Sequence, residues 1–343
     1  MGRKGTVNIP QWIEGNYWNV DTAFDVKCKS KKDVILRYLY YCAICFDYDY
    51  YTTKTSLPSM TQGTYYNYKI PYIPLSEQQA IAAYLDERCA KIDELIAEAA
   101  ASIAEYKELK QAVIFEAVTQ GLDKNVPLKD SGVEWIGEIP SHWQYKKLRY
   151  VVEDIGDIDH YMPESVNSGI PYAMTGDLCD YASSINFDSC KQVSYEDYLR
   201  LSKKIKVEKG DIIFARYASI GNICYVDIDK KFLVSYSCVT IKPTKSDING
   251  FFLKYYLQSS AFKEEVMRYA NSNVQANVGK ESMLQAKISL PSMQEQDMIV
   301  DYLDARIGDI DALISEKQAL IDDLKAYKKS LIYEVVTGKR RVG

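Results

Sequence analysis

The sequence predicts a mixed α/β protein in which α+β domains alternate with two long helices of the coiled-coil type. A segment of about fifty residues occurs twice, and an apolar stripe with helical period runs along each copy. Short runs rich in Val, Ile, Phe and Tyr fill the region between the copies, as expected of a sheet. At 343 residues and 47% hydrophobic content, the chain is long enough for more than one core.

The repeat relates residues 70–119 to residues 288–337 without a gap. Roughly twenty of the fifty paired positions are identical, which chance does not produce in ungapped register. The chain therefore contains two copies of one module.

The apolar positions of each copy fall alternately four and three residues apart, which is typical of a helix that packs along another helix. A helix from Glu77 to Thr119 would be about 65 Å long at 1.5 Å per residue, well beyond the usual globular helix. The alternative is a helix that packs only on its own domain. The predicted helix-pair positions are Leu85, Ile92, Ile96, Ile103, Tyr106, Val113, Leu303, Ile307, Ile310, Ile314, Ile321, Leu324 and Leu331.

Glycines and prolines mark the expected boundaries. Gly121 and Gly338 follow the two helices as stop signals, and the segment after Gly121 is rich in Gly, Pro and Asp. The predicted divisions are 1–75 as the later part of a first α/β domain, 76–120 as the first spacer helix, 121–141 as a linker, 142–292 as a second α/β domain, and 293–343 as the second spacer helix with a tail.

The first 69 residues resemble the later part of the second α/β domain. We align Lys4-Gly5-Thr6-Val7 with Ile220-Gly221-Asn222-Ile223, and Leu36-Arg37-Tyr38 with Leu253-Lys254-Tyr255. Nothing in the first copy corresponds to residues 142–217. We therefore expect residues 1–69 to supply only a domain's later strands, and to be unstable or dependent on a complementary half-subunit. We also expect the helices of residues 142–343 to be able to pair with those of a second copy.

Composition restricts the function classes. A net charge of −5 argues weakly against nucleic acid, although local positive surface matters more than the total. Eight scattered cysteines and no apolar run of about 20 residues predict a cytoplasmic protein with reduced thiols. Cys42 and Cys45 could supply two zinc ligands, but buried thiols are the favoured interpretation, and we expect no metal. No GxxxxGK[ST] or GxGxxG motif occurs, so we expect no nucleotide cofactor.

Several motifs resemble the specificity subunits of type I restriction and modification enzymes. They are EWIGEIPSHW at 134–143, KGDIIFARYASIG at 209–221, and the Pro, Glu-Gln, Tyr-Leu-Asp helix entries at 74–86 and 291–304. The resemblance covers almost the whole chain. It implies two target-recognition domains that each read half of a bipartite DNA site, with the repeated helices packed antiparallel between them. It also implies two docked modification (methyltransferase) subunits, a restriction motor subunit, and no catalytic centre in this chain.

Two polar loops of the second domain are the predicted DNA contacts. One follows the strand-like DIIF, and the other is rich in amides that suit adenine edges. Ordinary solvated loops are the alternative interpretation. Two other function classes stay open, namely a coiled-coil scaffold without a DNA role and an unrecognised DNA endonuclease. The predicted contacts are Arg216, Tyr217, Ser219, Asn222, Asn271, Asn273, Gln275, Asn277 and Lys280.

Overall fold

The computed structural model describes residues 1–28, 33–53, 57–217, 220–268 and 278–342. The helices are α1 (Leu36–Ile44), α2 (Tyr48–Tyr51), α3 (Gln62–Asn67), α4 (Leu75–Gln120), α5 (Tyr195–Leu201), α6 (Gly250–Gln258), α7 (Ser260–Met267), α8 (Lys280–Gln285) and α9 (Met293–Val336). The strands are β1 (Leu128–Asp130), β2 (Glu138–Pro140), β3 (Gln144–Lys147), β4 (Val152–Gly156), β5 (Ile170–Ala173), β6 (Lys191–Val193), β7 (Ile212–Ala215), β8 (Ile223–Tyr225), β9 (Leu233–Val234), β10 (Cys238–Pro243) and β11 (Lys287–Leu290).

The chain divides into two compact units. Unit 1 comprises Met1–Glu105 and Leu313–Gly343, and unit 2 comprises Tyr106–Ala312. Both long helices, α4 and α9, contribute one part to each unit.

The two long helices lie where the sequence places them, within two residues of the predicted ends. Helix α9 begins with a capping box, in which Glu295 N–H donates to Ser292 Oγ at 3.3 Å and Ser292 N–H donates to Glu295 Oε2 at 3.1 Å. Gly121 and Gly338 end the helices in the left-handed region, each at φ 74°. Because side chains with a Cβ disfavour that region, glycine is the natural residue at both ends.

The helices pack antiparallel within each unit. In unit 1, Leu85 and Ile92 from the first half of α4 share an apolar cluster with Leu331 and Val335 from the end of α9. In unit 2, the cluster joins the end of α4 to the beginning of α9. The antiparallel arrangement that the resemblance implied is thus confirmed.

Every predicted helix-pair position is buried or half-buried. The sequence prediction omitted apolar residues near the helix ends. These additional buried positions are Ile81, Ile114, Ala117, Val118, Ile299, Val300, Ile332, Val335 and Val336. They depart from the narrow stripe because the helix ends also pack on other elements of their own unit.

Unit 2 is built on an antiparallel sheet of order β4-β10-β7-β8 and a three-stranded sheet of order β6-β5-β9. Phe214 and Ile241 of the larger sheet pack with Phe252 and Tyr256 of α6 in the main core. The pairs β1-β2 and β11-β3 complete the unit. The expected linker at 121–141 therefore contains a strand pair, β1-β2, with Ile139 buried against Ala261.

Unit 1 corrects one prediction. Its described residues up to position 69 contain α1, α2 and α3 but no strand. Only isolated bridges occur there, at Gly2 with Ala23 and at Lys4 with Ser59. The later strands expected in this segment are absent from the described residues, because single bridges do not form the continuous ladder that a strand requires.

The structure also corrects the alignment of the first unit with the second. Helices α1 and α6 are both nine residues long, so Leu36 corresponds to Gly250 rather than to Leu253. A repeated contact supports this register: Tyr41 Oη donates to Asp86 in unit 1, and Tyr255 Oη donates to Asp304 in unit 2. The earlier alignment, based on a three-residue match, was therefore wrong by three residues.

The close cysteine pair lies in the apolar core of unit 1. Burial raises the pKa of the Cys42 thiol to about 12 and that of Cys45 to about 11. Such thiols stay protonated at neutral pH, as is typical of buried, unreactive cysteines. Among the described residues, no group of three or more His, Cys, Asp or Glu side chains could hold a metal ion, and no helix could cross a membrane.

Candidate nucleic-acid interface

One end of the larger sheet of unit 2 gathers four chain segments. The registers pair Gly156 with Thr240, Ala215 with Cys238, and Phe214 with Ile223. Because neighbouring strands are antiparallel, β4 and β7 end where β8 and β10 begin. Four segments therefore meet at this end of the sheet. Two of them begin at Asp157 and Arg216, and the other two end at Asn222 and Ser237.

Arg216 links these segments. Its Nη2 donates to Asp157 Oδ2 and, at 3.1 Å, to the carbonyl oxygen of Tyr236. Its backbone N–H donates to Ser237 O at 3.0 Å, and its carbonyl oxygen accepts from Val278 N–H at 3.4 Å. The side chain is buried, with the residue only 6% exposed. Arg216 is therefore not a solvated loop residue, the alternative that the sequence left open, and its predicted contact with DNA stays a prediction.

Asp157 is the acidic group of this cluster. Beside Arg216, its carboxylate lies 3.2 Å from Lys204 Nζ and 3.4 Å from His160 Nε2. Partial burial alone would raise the pKa of Asp157, but the charge of Arg216 and the hydrogen bonds from Lys204 and His160 lower it below the usual 3.8. The His160 ring stacks on Tyr236 at 5.0 Å between ring centroids.

The β7–β8 turn depends on Gly221. This residue has φ 91°, and its N–H donates to Ala215 O at 3.1 Å. Because a residue with a Cβ would be strained at this positive φ, the backbone conformation favours glycine. The turn places Asn222 at the surface.

The described residues that follow Asn277 in the second predicted loop lie at the same place. Lys280 is the first residue of α8 and is half-buried, as is Tyr217 in the first loop. Val278 N–H donates to Arg216 O, so the residue that precedes Gly279 and α8 lies beside the start of the first predicted loop. The predicted contacts Ser219, Asn271, Asn273, Gln275 and Asn277 lie outside the described residues.

Sequence reasoning missed Asp157, His160, Lys204 and Tyr236. Asp157 and Arg216 are 59 positions apart and share no motif, so only the sheet topology brings them together. The basic run after α5, which contains Lys203 and Lys204, was a usable signal for positive surface.

Comparison with known proteins identifies the family. Residues 140–322, more than half of the chain, match the family described as the type I restriction modification DNA specificity domain. The chain belongs to this family. The match contains every strand of the larger sheet and the clustered loops at its end.

Two curated relatives carry the corresponding name. The type I restriction enzyme MjaVIII specificity subunit of Methanocaldococcus jannaschii is 29% identical over 301 residues, which cover 85% of this chain and 66% of that protein. The type I restriction enzyme EcoBI specificity subunit of Escherichia coli is 24% identical over 274 residues, which cover 78% of this chain and 57% of that protein. The chain thus spans less than two thirds of the length of these relatives.

A solved structure shares the fold. It was solved to describe complex assembly and conformational transition of the type I R-M system, and its matching chain has a TM-score of 0.66 at 19% identity. The match covers 90% of this chain and 72% of that chain. Mixed α/β structure with two long helices is therefore the architecture of both.

Proposed function

We propose that this chain is a cytoplasmic, sequence-specific DNA-binding subunit of a type I restriction and modification complex. It reads a bipartite DNA site and leaves methyl transfer and cleavage to partner subunits. The observation that carries the proposal is the family match over residues 140–322, because this range includes the whole loop-bearing end of the larger sheet. Loops on a rigid sheet are a common location for recognition residues.

The DNA surface that we propose combines the two predicted loops with the Asp157 cluster. Exposed His160 and Lys204 supply positive or hydrogen-bonding groups beside Arg216, despite the overall charge of −5. Lysines suit phosphates, and amides suit base edges. The direct contacts proposed within the described residues are His160, Lys204, Tyr217, Asn222 and Lys280, together with the predicted Ser219, Asn271, Asn273, Gln275 and Asn277 outside them.

The proposed site for modification subunits is an exposed apolar stripe on the long helices. Leu313, Leu320 and Tyr327 are exposed on α9 at seven-residue spacing, which places them on one helix face. The repeat counterparts of Leu313 and Tyr327 on α4 are Leu95 and Leu109, and both are exposed too. Two equivalent sets of docking positions support two modification chains per subunit, with motor subunits joining that assembly.

We also propose a complementary chain, either a second copy or a half-subunit, as the cover for exposed apolar residues in unit 1. Ile13, Tyr17 and Val20 are exposed, and Trp18 is 94% exposed. Large apolar side chains that are this exposed and close together in the sequence are typical of an interaction surface. Analytical ultracentrifugation of the chain with a Trp18→Ser variant tests this part: loss of self-association supports a second copy.

Selection from a random-sequence duplex pool tests DNA reading. The full chain, alone and with its modification subunit, is expected to enrich a motif with two specified halves, and affinity should fall with rising salt because phosphate contacts release counterions. Absence of any enriched motif would contradict the proposal and favour a scaffold role. Magnesium-dependent cleavage of the pool by the chain alone would instead favour an endonuclease.

A further inference from the structure

We propose that Asp157 is a positioning residue for DNA recognition and that it acts through Arg216. The pair assembles the recognition surface instead of contacting DNA. This inference rests on the proposed DNA-binding function. It replaces the sequence expectation that Arg216 itself contacts DNA.

The contacts of Arg216 point inward. One guanidinium nitrogen, Nη2, already serves Asp157 and the Tyr236 carbonyl, and Nε is buried. At 6% exposure, the residue offers DNA very little accessible surface. A direct base contact would require the buried Arg216 side chain to give up its hydrogen bonds to Asp157 and to the Tyr236 carbonyl, which is costly.

The contacts of Arg216 also hold neighbouring chain segments together. Through its side chain, Arg216 joins the segment after β4 to the connection between β9 and β10. Through its backbone, it joins Ser237 and Val278 to the end of β7. The described residues Ser237 and Val278 are therefore attached to Arg216, and Asp157 holds the Arg216 side chain in place. Contacts that read bases must be held within about 0.5 Å of their working geometry.

Because Asp157 is negatively charged, a direct role and a positioning role predict different changes in DNA affinity when this residue is neutralised. If Arg216 contacts DNA directly, removing the nearby negative charge of Asp157 should leave DNA affinity unchanged or increase it, because phosphates are repelled less. If Asp157 positions the loops, removing it should weaken sequence-specific binding. Asp159 provides a matched control: it lies two residues away, is 68% exposed at the side chain, and has Lys204 as its nearest cation at 3.7 Å.

The experiment compares Asp157→Asn and Asp159→Asn in the full chain, with a duplex that the unsubstituted chain selected from a random pool and with an unselected duplex. For Asp157→Asn we expect specific affinity to fall at least about tenfold, comparable to one mismatched base pair. Non-specific affinity should stay unchanged or rise slightly, since it depends on phosphate neutralisation. Asp159→Asn should stay within about twofold for both duplexes. A fold defect alone would lower both affinities of Asp157→Asn together, and that result would overturn the inference.

A second variant tests whether Asp157 acts through Arg216. Adding Asp157→Asn to Arg216→Ala should cause no further loss of specific affinity, because the pair works as one unit. Independent losses would overturn the inference. A direct phosphate contact by Arg216 would also overturn it. In that case Arg216→Ala would reduce the slope of log affinity against log salt concentration by about one, while Asp157→Asn would bind normally. If the unsubstituted chain selects no sequence, the proposed function itself fails.

Discussion

The ammonium group of Lys110 on α4 donates hydrogen bonds to both carboxylate oxygens of Asp311 on α9, at 2.8 Å each. The repeat counterparts of these residues form the same contact in unit 1, where Lys328 Nζ lies 2.7 and 2.6 Å from the two oxygens of Asp93. Each copy of the module thus supplies a lysine to one pair and an aspartate to the other. Such reciprocal contacts are expected of an antiparallel pair of equivalent helices.

Charge reversal tests the Lys110–Asp311 pair. Lys110→Glu places two carboxylates together and should lower the free energy of unfolding by about 1 kcal/mol or less, because exposed ion pairs contribute little. Asp311 is 47% exposed at its side chain, so the effect should shrink further in high salt. Adding Asp311→Lys should restore stability. Urea denaturation at two salt concentrations measures this, with Lys107→Glu at an exposed position of α4 as the control. Failure of the double variant to recover would show that the pair does not determine helix register.

The pH dependence of stability should depend on Glu295. Partial burial alone would raise the pKa of Glu295, but hydrogen bonds from His142, Ser292 and Trp143 lower it from 4.5 to about 2. A carboxyl whose folded pKa is depressed stabilises the protein above its unfolded pKa. That contribution is lost as pH falls from about 4.5 towards 2.

Glu295→Gln should therefore lower the free energy of unfolding at pH 7 by something on the order of 2 kcal/mol, and the deficit should narrow as pH falls below 4.5. Urea midpoints measured from neutral to acidic pH check the slope. Glu138→Gln, at an exposed carboxylate, is the control and should follow the unsubstituted protein. A deficit that is independent of pH would mean that Glu295 contributes packing only.

Substitution of the buried Gln78 should destabilise unit 1, whereas substitution of the adjacent Gln79 should not. Gln78 is fully buried; its Oε1 accepts from Ile35 N–H at 2.9 Å, and its Nε2 donates to Asp33 O and Ile73 O at 3.0 and 2.9 Å. Gln78→Ala leaves these backbone groups unpaired and should cost about 2–4 kcal/mol. The adjacent Gln79 is exposed, so Gln79→Ala should change stability by less than about 0.5 kcal/mol. Equal effects in thermal denaturation would argue against the amide contacts.

The exposed stripe on the long helices should control partner stoichiometry. Leu95 and Leu313 are repeat counterparts, so Leu95→Glu and Leu313→Glu should each remove one of two modification subunits, and the double variant should bind none. Native mass spectrometry of the mixed subunits counts the bound chains. Glu98→Ala and Glu316→Ala, at exposed repeat positions on the same helices, should keep two. Two bound chains on the double variant would place the docking surface elsewhere.

The sequence by itself determined the long helices, their ends and their buried stripe. These features depend on interactions between residues three or four positions apart and on local end signals such as Gly121 and Gly338, so the pattern is visible in the chain. The repeat added the equivalence of the two modules, and the motifs around 134–143 and 209–221 correctly indicated the family.

Only the tertiary structure decided which distant residues meet. Strand order and helix packing bring separate segments to one place, and no local pattern in the sequence records such pairings. Examples are Asp157 with Arg216 and Gln296 with Asn249. The repeat alignment also predicted strands in residues 1–69, whereas the described part of this segment forms helices and isolated bridges, since a strand forms only where another strand pairs with it. Arg216 shows the same limit for the site: its position after the strand-like DIIF predicted a loop contact, and only the structure shows that it is buried with Asp157 as a partner.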